Sequence, residues 1–211
     1  MVLTSPIRRS FPPLVLLLSA SACTSGPAPI DDRPYAEQVQ AARAEKDAQF
    51  RTARDSPIPV AARTSFAGLP YYPIDGAYRA PAFLTADRSG PPVIIELQQT
   101  STNQPTRMRR VGALGFTLGG ASYTLTAFAD VNASTVDRLF VPFGDLTNGA
   151  ETYKGGRYLD LDRTATGLYD LDFNRAYHPF CVYDPNYQCP IPPRENRLAA
   201  AIKAGERLSA R

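Results

Sequence analysis

Short runs of alternating apolar and polar residues, separated by turn residues, fill most of the chain after residue 90. Such runs predict strands, because successive side chains of a strand point to opposite faces of the sheet. Turn signals recur about every 8–12 residues, which favours an antiparallel β-barrel or sandwich. Strands are predicted at residues 92–100, 106–114, 121–129, 139–143, 157–161 and 168–173, with a hairpin turn at Gly119 and Gly120.

One N-terminal α-helix is predicted ahead of these strands. Residues 35–54 contain neither glycine nor proline and are rich in strong helix formers. Asp32 can cap the start of this helix and Pro57 ends it. A weak apolar stripe indicates that the helix packs on the edge of the domain; its members are Tyr35, Val39, Ala42 and Phe50.

Two other segments have an irregular or ambiguous pattern. Residues 55–82 are broken by prolines and rich in tyrosine, which predicts an irregular wrap over the core. Tyrosines of this wrap and of the late loop could line a pocket or close an edge of the core; they are Tyr71, Tyr72, Tyr78, Tyr177, Tyr183 and Tyr187. Residues 195–207 favour a helix by local propensity alone.

Composition narrows the function classes. The 211 residues include 20 prolines, almost twice the average share of about 5%, which argues against a helix bundle. A single histidine excludes any metal site built on several histidines. From Cys23 onward, 21 Lys and Arg face 20 Asp and Glu, because two of the 23 basic residues are Arg8 and Arg9. This near-neutral balance gives no electrostatic case for binding nucleic acid.

The N-terminus is similar to a bacterial lipoprotein signal. Arg8 and Arg9 precede an apolar run that is too short to span a membrane, and small residues lead directly to Cys23. By this resemblance Ala20–Cys23 form the lipobox, although leucine is usual at the position of Ala20. It implies a signal peptide at residues 1–22, a lipidated Cys23 opening a tether at 23–34, and one β-rich domain at 35–211.

Two acyl chains or more would anchor such a protein firmly. Thr24 after the cysteine implies, by the same resemblance, the outer membrane facing the periplasm. The alternative is an ordinary cleaved signal peptide with a chance cysteine. Both interpretations place the domain in the cell envelope, outside the cytoplasm.

Long specific strings in the second half of the chain carry a further resemblance. LFVPFGDLTNGAETYKGGRYLDLD and DLDFNRAYHPFCVYDPNYQCPIPPRENRLAAAIKAGER, with FAGLPYYPIDGAYR upstream, resemble the bacterial domain-of-unknown-function family numbered 1684. The resemblance covers roughly residues 40–207 and implies no assigned activity. The family pattern favours asparagine where His178 stands, so this histidine is not expected to be a family catalyst. The pattern also favours extended sequence after Leu198, which implies a strand rather than a helix at residues 195–207.

The densest polar cluster is GDLTNGAETYKGGRY, residues 144–158. Asp145, Thr147 and Asn148 suit a turn, since their side chains can accept hydrogen bonds from nearby backbone N–H groups. With Arg157 beside exposed amides of Gly155 and Gly156, such a loop could cradle an anion. The alternative is an ordered turn that joins two strands.

Two smaller clusters complete the candidates. Alternation puts Asp170, Asp172 and Asn174 on one side of a strand, with Leu171 and Phe173 towards the core. Paired carboxylates there could act as acid and base, form a solvated face, or pair Asp172 with Arg175. The Glu195-Asn196-Arg197 triplet can cap backbone groups or point into a cleft.

Cys181 and Cys189 flank Asp184-Pro185-Asn186. In the envelope this spacing favours a disulfide across a small loop. A zinc site is the alternative, but with His178 the pair supplies three of four ligands and leaves the fourth unidentified. No metal or other cofactor is predicted.

The leading hypothesis is a lipid-anchored envelope module that binds a small anionic or amphipathic ligand, or a partner protein. The predicted ligand-binding residues are Asp145, Thr147, Asn148, Gly155, Gly156, Arg157, Arg175, Glu195, Asn196 and Arg197, converging on a pocket with unpaired N–H groups at Gly155 and Gly156. One alternative is a hydrolase that places two of Asp145, Asp172 and Glu195 about 5–9 Å apart. The other is a purely structural envelope protein with no pocket.

Overall fold

Within the described residues, seven antiparallel strands form one sheet that nearly closes into a barrel. The structure is a computed structural model that describes residues 31–87, 90–100 and 104–209. The predicted signal peptide and Cys23 lie outside the described residues. The strands are β1 (Arg79–Ala86), β2 (Ile94–Leu97), β3 (Thr106–Leu118), β4 (Ala121–Asp130), β5 (Arg138–Phe143), β6 (Arg157–Asp162) and β7 (Leu168–Asp172). The prediction of a mainly β antiparallel fold with one N-terminal helix is confirmed.

The strands follow the order β6-β5-β4-β3-β1-β7, and β2 pairs with β3. β3 and β4 form the longest hairpin, paired from Leu118–Ala121 back to Met108–Asp130 with a shift of register between Arg110 and Gly112. The predicted turn is confirmed: Gly119 and Gly120 have φ of 57° and 81°, and a left-handed pair suits a tight hairpin. β6 and β7 stand at the two ends of this order, and the Tyr158–Tyr177 bridge joins the chain just after β7 back to β6.

The core lies inside this curved sheet. The predicted inward direction of Leu171 and Phe173 is observed. Leu171 in β7 is fully buried, and Phe173, directly after the strand, is also buried in the core. Leu114, Leu125 and Val141 reach the same interior from β3, β4 and β5. Full burial of an aliphatic or aromatic side chain contributes roughly 1.5–3 kcal/mol, so this interior is the main source of stability.

A helix, α1 (Tyr35–Thr52), packs beside the barrel. Its presence is confirmed, but the predicted Asp32 cap is wrong, because the N-cap is Pro34 and makes no side-chain hydrogen bond. Val39 and Phe50 are its buried side chains. Phe50 joins a second apolar cluster with Ile58 and Leu69, which fixes the irregular wrap to the end of α1.

Three other expectations need correction. The predicted wrap, residues 55–82, ends in β1; alternating small side chains and Pro81 hid this strand from the hydrophobic pattern. The predicted strand at 92–100 is reduced to β2. The segment at 195–207 is neither a helix nor a regular strand: after Asn196 it runs extended along residues 144–146, with Leu198 N–H donating to Gly144 O at 2.8 Å.

The remaining regular elements are short: α2 (Val60–Arg63) and 3₁₀ turns at Gly76–Tyr78, Phe173–Arg175, Phe180–Val182 and Arg194–Asn196. Among the described residues, no helix is both long and apolar enough to cross a membrane.

Candidate functional site

The polar cluster after β5 folds into a tight turn. Asp145 Oδ1 accepts hydrogen bonds from the Thr147 N–H at 2.8 Å and the Thr147 hydroxyl at 2.6 Å. Asn148 Oδ1 accepts from the Asp145 N–H at 2.7 Å, and its amide donates to Thr152 Oγ1 at 2.9 Å. The predicted turn chemistry is confirmed, and it holds Asp145 rigidly below the surface.

Arg157 opens β6 and is completely buried. Its Nη2 donates to Asp145 Oδ2 at 2.9 Å and to Ile202 O at 2.7 Å. Its Nη1 donates to Glu206 O at 3.0 Å and also to Ala204 O. A buried guanidinium is tolerated only when its charge is paired and its donors are used. Arg157 therefore ties the C-terminal segment to the barrel through both Nη groups, while its buried Nε has no hydrogen-bond partner among the described residues.

Asn196 has a similar structural task. Its Oδ1 accepts the Thr126 N–H at 2.7 Å, and its Nδ2 donates to Thr126 O at 2.8 Å and Pro142 O at 2.7 Å. Pro142 has no N–H to offer its neighbouring strand. The buried carboxamide of Asn196 thus joins β4 to β5 as a peptide group would. Asn196 therefore caps backbone groups and does not point into a cleft.

The structure does not bring the predicted ligand-binding residues to one surface. Arg157, Asn196 and Thr147 are buried, whereas Glu195 and Arg197 are exposed. The expected free N–H group at Gly156 is wrong, since it donates to Tyr153 O at 3.0 Å. Of the predicted set, Arg175 alone lines the cleft beside α1 that is described below.

The three candidate catalytic carboxylates differ in burial and in their partners. Asp145 is paired with Arg157. Asp172 is buried: its Oδ1 accepts from the Tyr35 hydroxyl at 2.9 Å and from the Asn174 N–H at 2.9 Å, and its Oδ2 lies 3.3 Å from Arg175 Nε. Glu195 is exposed in a 3₁₀ turn. Each carboxylate therefore has a separate environment, and the two buried ones have structural partners.

Glu206 is a buried junction that sequence analysis missed. Its Oε1 accepts from Lys46 Nζ at 2.6 Å, while its Oε2 accepts from the His178 N–H at 2.7 Å and the Tyr183 hydroxyl at 2.9 Å. The chain turns at Gly205 with φ of 75°, and a Cβ atom at this position would lie 2.5 Å from Ala176 O. Only glycine therefore fits this turn without strain. The carbonyls held by Arg157 fix the segment that carries Glu206.

His178 lies against this junction. Its Nε2 accepts the Tyr153 N–H at 3.2 Å, so the proton of the neutral ring is on Nδ1. Burial first, then the positive charges of Arg157 and Lys46, lowers the pKa of His178 to about 3. His178 is therefore a neutral structural side chain at physiological pH. In the parts of the chain that the structure describes, no three His, Cys, Asp or Glu residues are arranged to hold a metal ion.

A cavity of about 280 Å³, which we name the α1 cleft, lies between α1, the strands β5 and β6, and the chain that follows β7. Such a volume is close to the lower end of small-molecule pockets, at roughly 300 Å³. Seven charged side chains line it: Arg43, Lys46, Arg138, Asp160, Asp162, Arg175 and Glu206. Apolar contacts come from Val39, Ala42 and Ala176.

Two polar atoms in the cleft wall lack partners. Arg43 Nε and the Tyr71 hydroxyl are buried and find no hydrogen-bond partner among the described residues. The Arg43 guanidinium stacks 4.4 Å above the Tyr71 ring and donates to Tyr72 O and Asn174 O. Burial raises the pKa of Tyr71, so its hydroxyl stays protonated and can donate. Neither atom is exposed to solvent, so an acceptor in the cleft reaches these donors only after a shift of the side chains that cover them.

The signals that could have revealed this cleft are faint. Val39, Arg43 and Lys46 are spaced i, i+4 and i+7, which puts two cations on the face that α1 turns inward. Tyr71 and Tyr177 were among the tyrosines predicted to line a pocket or close a core edge, and both line the cleft. Nothing local in the sequence marks Glu206 as a partner of α1.

The two cysteines are adjacent but unbonded in the structure. Both are free thiols, and the Cys181 N–H donates to Cys189 Sγ at 3.2 Å. The contact between the thiols lowers the pKa of Cys181, while the same contact and burial raise the pKa of Cys189. His178 is not part of this pair, because its Nε2 is engaged with Tyr153.

Fold and cleft together define a small, nearly closed antiparallel barrel with a helix packed beside a charged cavity. The model of a family described as proteins of unknown function, DUF1684, matches residues 64–207. The chain belongs to this family. It is also similar to an uncharacterized protein of Haloarcula marismortui whose structure was determined by solution NMR. The two chains are 42% identical with a TM-score of 0.64, over 82% of this chain and 93% of that one. No curated protein matches the chain.

Proposed function

We propose that this protein is a lipid-anchored envelope module that binds a small carboxylate-bearing ligand in the α1 cleft. The single observation that carries the binding proposal is the pair of unpartnered donors, Arg43 Nε and the Tyr71 hydroxyl, in the wall of a cavity lined by four basic and three acidic side chains. A carboxylate supplies acceptors for such donors and a charge that the cations attract.

Arg175 is the cation best able to reach a ligand. About 46% of its side chain is exposed, and its ion pair with Asp172 engages Nε at 3.3 Å. A guanidinium has five donors, so this pairing leaves others for a bound anion. Lys46 and Arg43 are held in place by Glu206 and by backbone carbonyls, which preorganises this side of the cleft before a ligand arrives, with the charge of Lys46 already paired to Glu206.

Native mass spectrometry of the full chain, extracted from membranes in mild detergent, tests the binding proposal. We expect a reproducible adduct of low mass that Arg175→Ala loses. Arg194→Ala is the matched control, since Arg194 also sits in a three-residue 3₁₀ turn but lies outside the cleft lining. Absence of an adduct, together with no thermal shift from a panel of small carboxylates, would refute binding at this cleft.

The anchor is a separate part of the proposal. Arg8 and Arg9, the short apolar run and Ala20–Cys23 support cleavage before Cys23, lipidation of its sulfur and residence in the outer membrane. The mass of the mature protein tests this. We expect a chain that begins at Cys23 and carries two or three acyl groups; Cys23→Ser should abolish the acyl mass. A mature chain without acyl groups would contradict the anchor.

We also propose that Cys181 and Cys189 form a disulfide in the envelope. The support is their adjacency, with one sulfur accepting the other residue's backbone N–H, together with the oxidising compartment. A disulfide of a thiol oxidant in the envelope would exchange with the two thiols, taking up the two electrons and two protons and leaving as a pair of thiols. The intact protein should then be two hydrogens lighter than its reduced form. Alkylation of both thiols without prior reduction would show that the pair stays reduced.

A further inference from the structure

The α1 cleft is lined by charges of both signs, with Arg138 paired to Asp162 and Lys46 paired to Glu206. Arg43 and Lys46 project from α1, while Asp160 and Asp162 lie on β6 across the cavity. A purely anionic ligand would meet the two aspartates as well as the cations. We infer that the ligand is a small zwitterion, with its anionic group at Arg175 and the α1 wall and its ammonium group at Asp160. This inference rests on the proposed binding function and names the ligand class.

Asp160 is fixed for such a contact. It is exposed at the edge of the cleft, and its Oδ2 accepts the Tyr177 hydroxyl at 2.9 Å. Tyr177 is itself held by a backbone bridge to Tyr158 and lies under Lys46 Nζ, 4.4 Å from the ring centre. The carboxylate is therefore oriented by the fold, and an ammonium group beside it would make a charge-assisted hydrogen bond.

Asp162 is held more loosely. It pairs with Arg138 at 3.2 Å, and 84% of its side chain and 65% of that of Arg138 are exposed. Exposed pairs of this kind contribute little and exchange partners readily. A ligand can therefore displace this pair at small cost.

The size of the cavity restricts the zwitterion. About 280 Å³ bounded by Val39, Ala42 and Ala176 suits a molecule of amino-acid size with a small apolar part. The shared chemistry, one ammonium and one anionic group on a short frame, occurs in free amino acids and in phosphoethanolamine. The experiment below separates these two sources.

Isothermal titration of the full chain in detergent tests the inference. The probes are L-alanine and L-glutamine, each beside its N-acetyl form and its amide, with phosphoethanolamine and inorganic phosphate. We expect at least one zwitterion to bind about tenfold or more tightly than both of its singly charged analogues. The relative affinities of the amino acids and phosphoethanolamine identify the anionic group.

Variants assign the two charges. Asp160→Asn should lower zwitterion affinity to that of the N-acetyl form and leave the N-acetyl form unchanged, whereas Arg175→Ala should weaken both. Glu96→Gln, an exposed glutamate on β2, is the matched charge control. Equal binding of free and N-acetyl amino acids would overturn the zwitterion and leave anion binding intact. Failure of every probe, with no retained adduct, would overturn both proposals.

Discussion

The neutral, buried His178 predicts a pH dependence of stability that can be calculated. Its pKa is about 3 in the folded chain and about 6.5 when unfolded. Between these values the unfolded state binds a proton that the folded state does not. The free energy of unfolding therefore rises with pH across this window and falls on acidification.

The magnitude follows from linkage. At pH 4.5 an unfolded histidine is almost fully protonated while the folded one remains neutral. Relative to pH 7, this difference costs about 2.5 kcal/mol of stability, at about 1.4 kcal/mol per unit of pKa. The result depends little on the folded pKa, provided that it lies well below 4.5.

Glu206 opposes this shift. Its Oε2 lies 3.7 Å from His178 Nδ1, and a carboxylate there would favour a protonated ring. Lys46, 2.6 Å from Oε1 of the same group, already balances that charge, and Arg157 adds a positive charge nearby. We therefore expect the neutral form to prevail.

Urea unfolding at pH 7 and pH 4.5 measures the effect on the chain from residue 24. His178→Gln is the matched variant, since its amide oxygen can accept the Tyr153 N–H without titrating. The variant should lose about 2.5 kcal/mol less than the parent between the two pH values. The protein has one histidine, so NMR titration of the imidazole also reads its pKa directly. Equal pH dependence in both proteins, or an imidazole pKa near 6, would refute the reasoning.

Two further predictions concern the buried framework. Arg157→Met should reduce the free energy of unfolding by about 3–5 kcal/mol, because it leaves Asp145 charged and buried without its partner; Arg138→Met, which breaks an exposed pair, should change it by less than about 1 kcal/mol in the same urea titration. Gly205→Ala should lower the melting temperature more than Gly120→Ala. Both glycines have positive φ, but a Cβ at Gly205 would meet Ala176 O, whereas one at Gly120 meets nothing within 4 Å. Equal shifts would contradict the close approach.

Much of the fold was predictable because alternation and turn residues act locally. α1, the β3–β4 hairpin and the inward faces of β5 to β7 follow from these patterns. β1 was missed because Ala80 and Ala82 are small enough to be buried without a strong apolar signal. The C-terminal segment was ambiguous because long-range hydrogen bonds to residues 144–146 override its helical propensity.

The site was less predictable, because a sequence shows which polar side chains are present but not which of them are already hydrogen-bonded or ion-paired within the fold. The cluster at residues 144–158 offered the richest set of polar groups, and the fold uses most of them internally: Asp145 with Arg157, Asn148 with Thr152. Engagement of this kind depends on residues about 50 positions away, such as Ile202 and Glu206. The spacing of neighbouring residues in the sequence does not indicate these long-range contacts.

The division between framework and cleft has an electrostatic basis. Arg157 and Asp145 are taken fully out of water, so each must be matched by a partner and by further hydrogen bonds, and both Nη groups of Arg157 are already engaged within the fold. Arg175 and Asp160 stay at the solvent boundary, where a single partner suffices and some bonding capacity remains. Binding chemistry should therefore be sought among the incompletely paired charges that the buried framework positions around the α1 cleft.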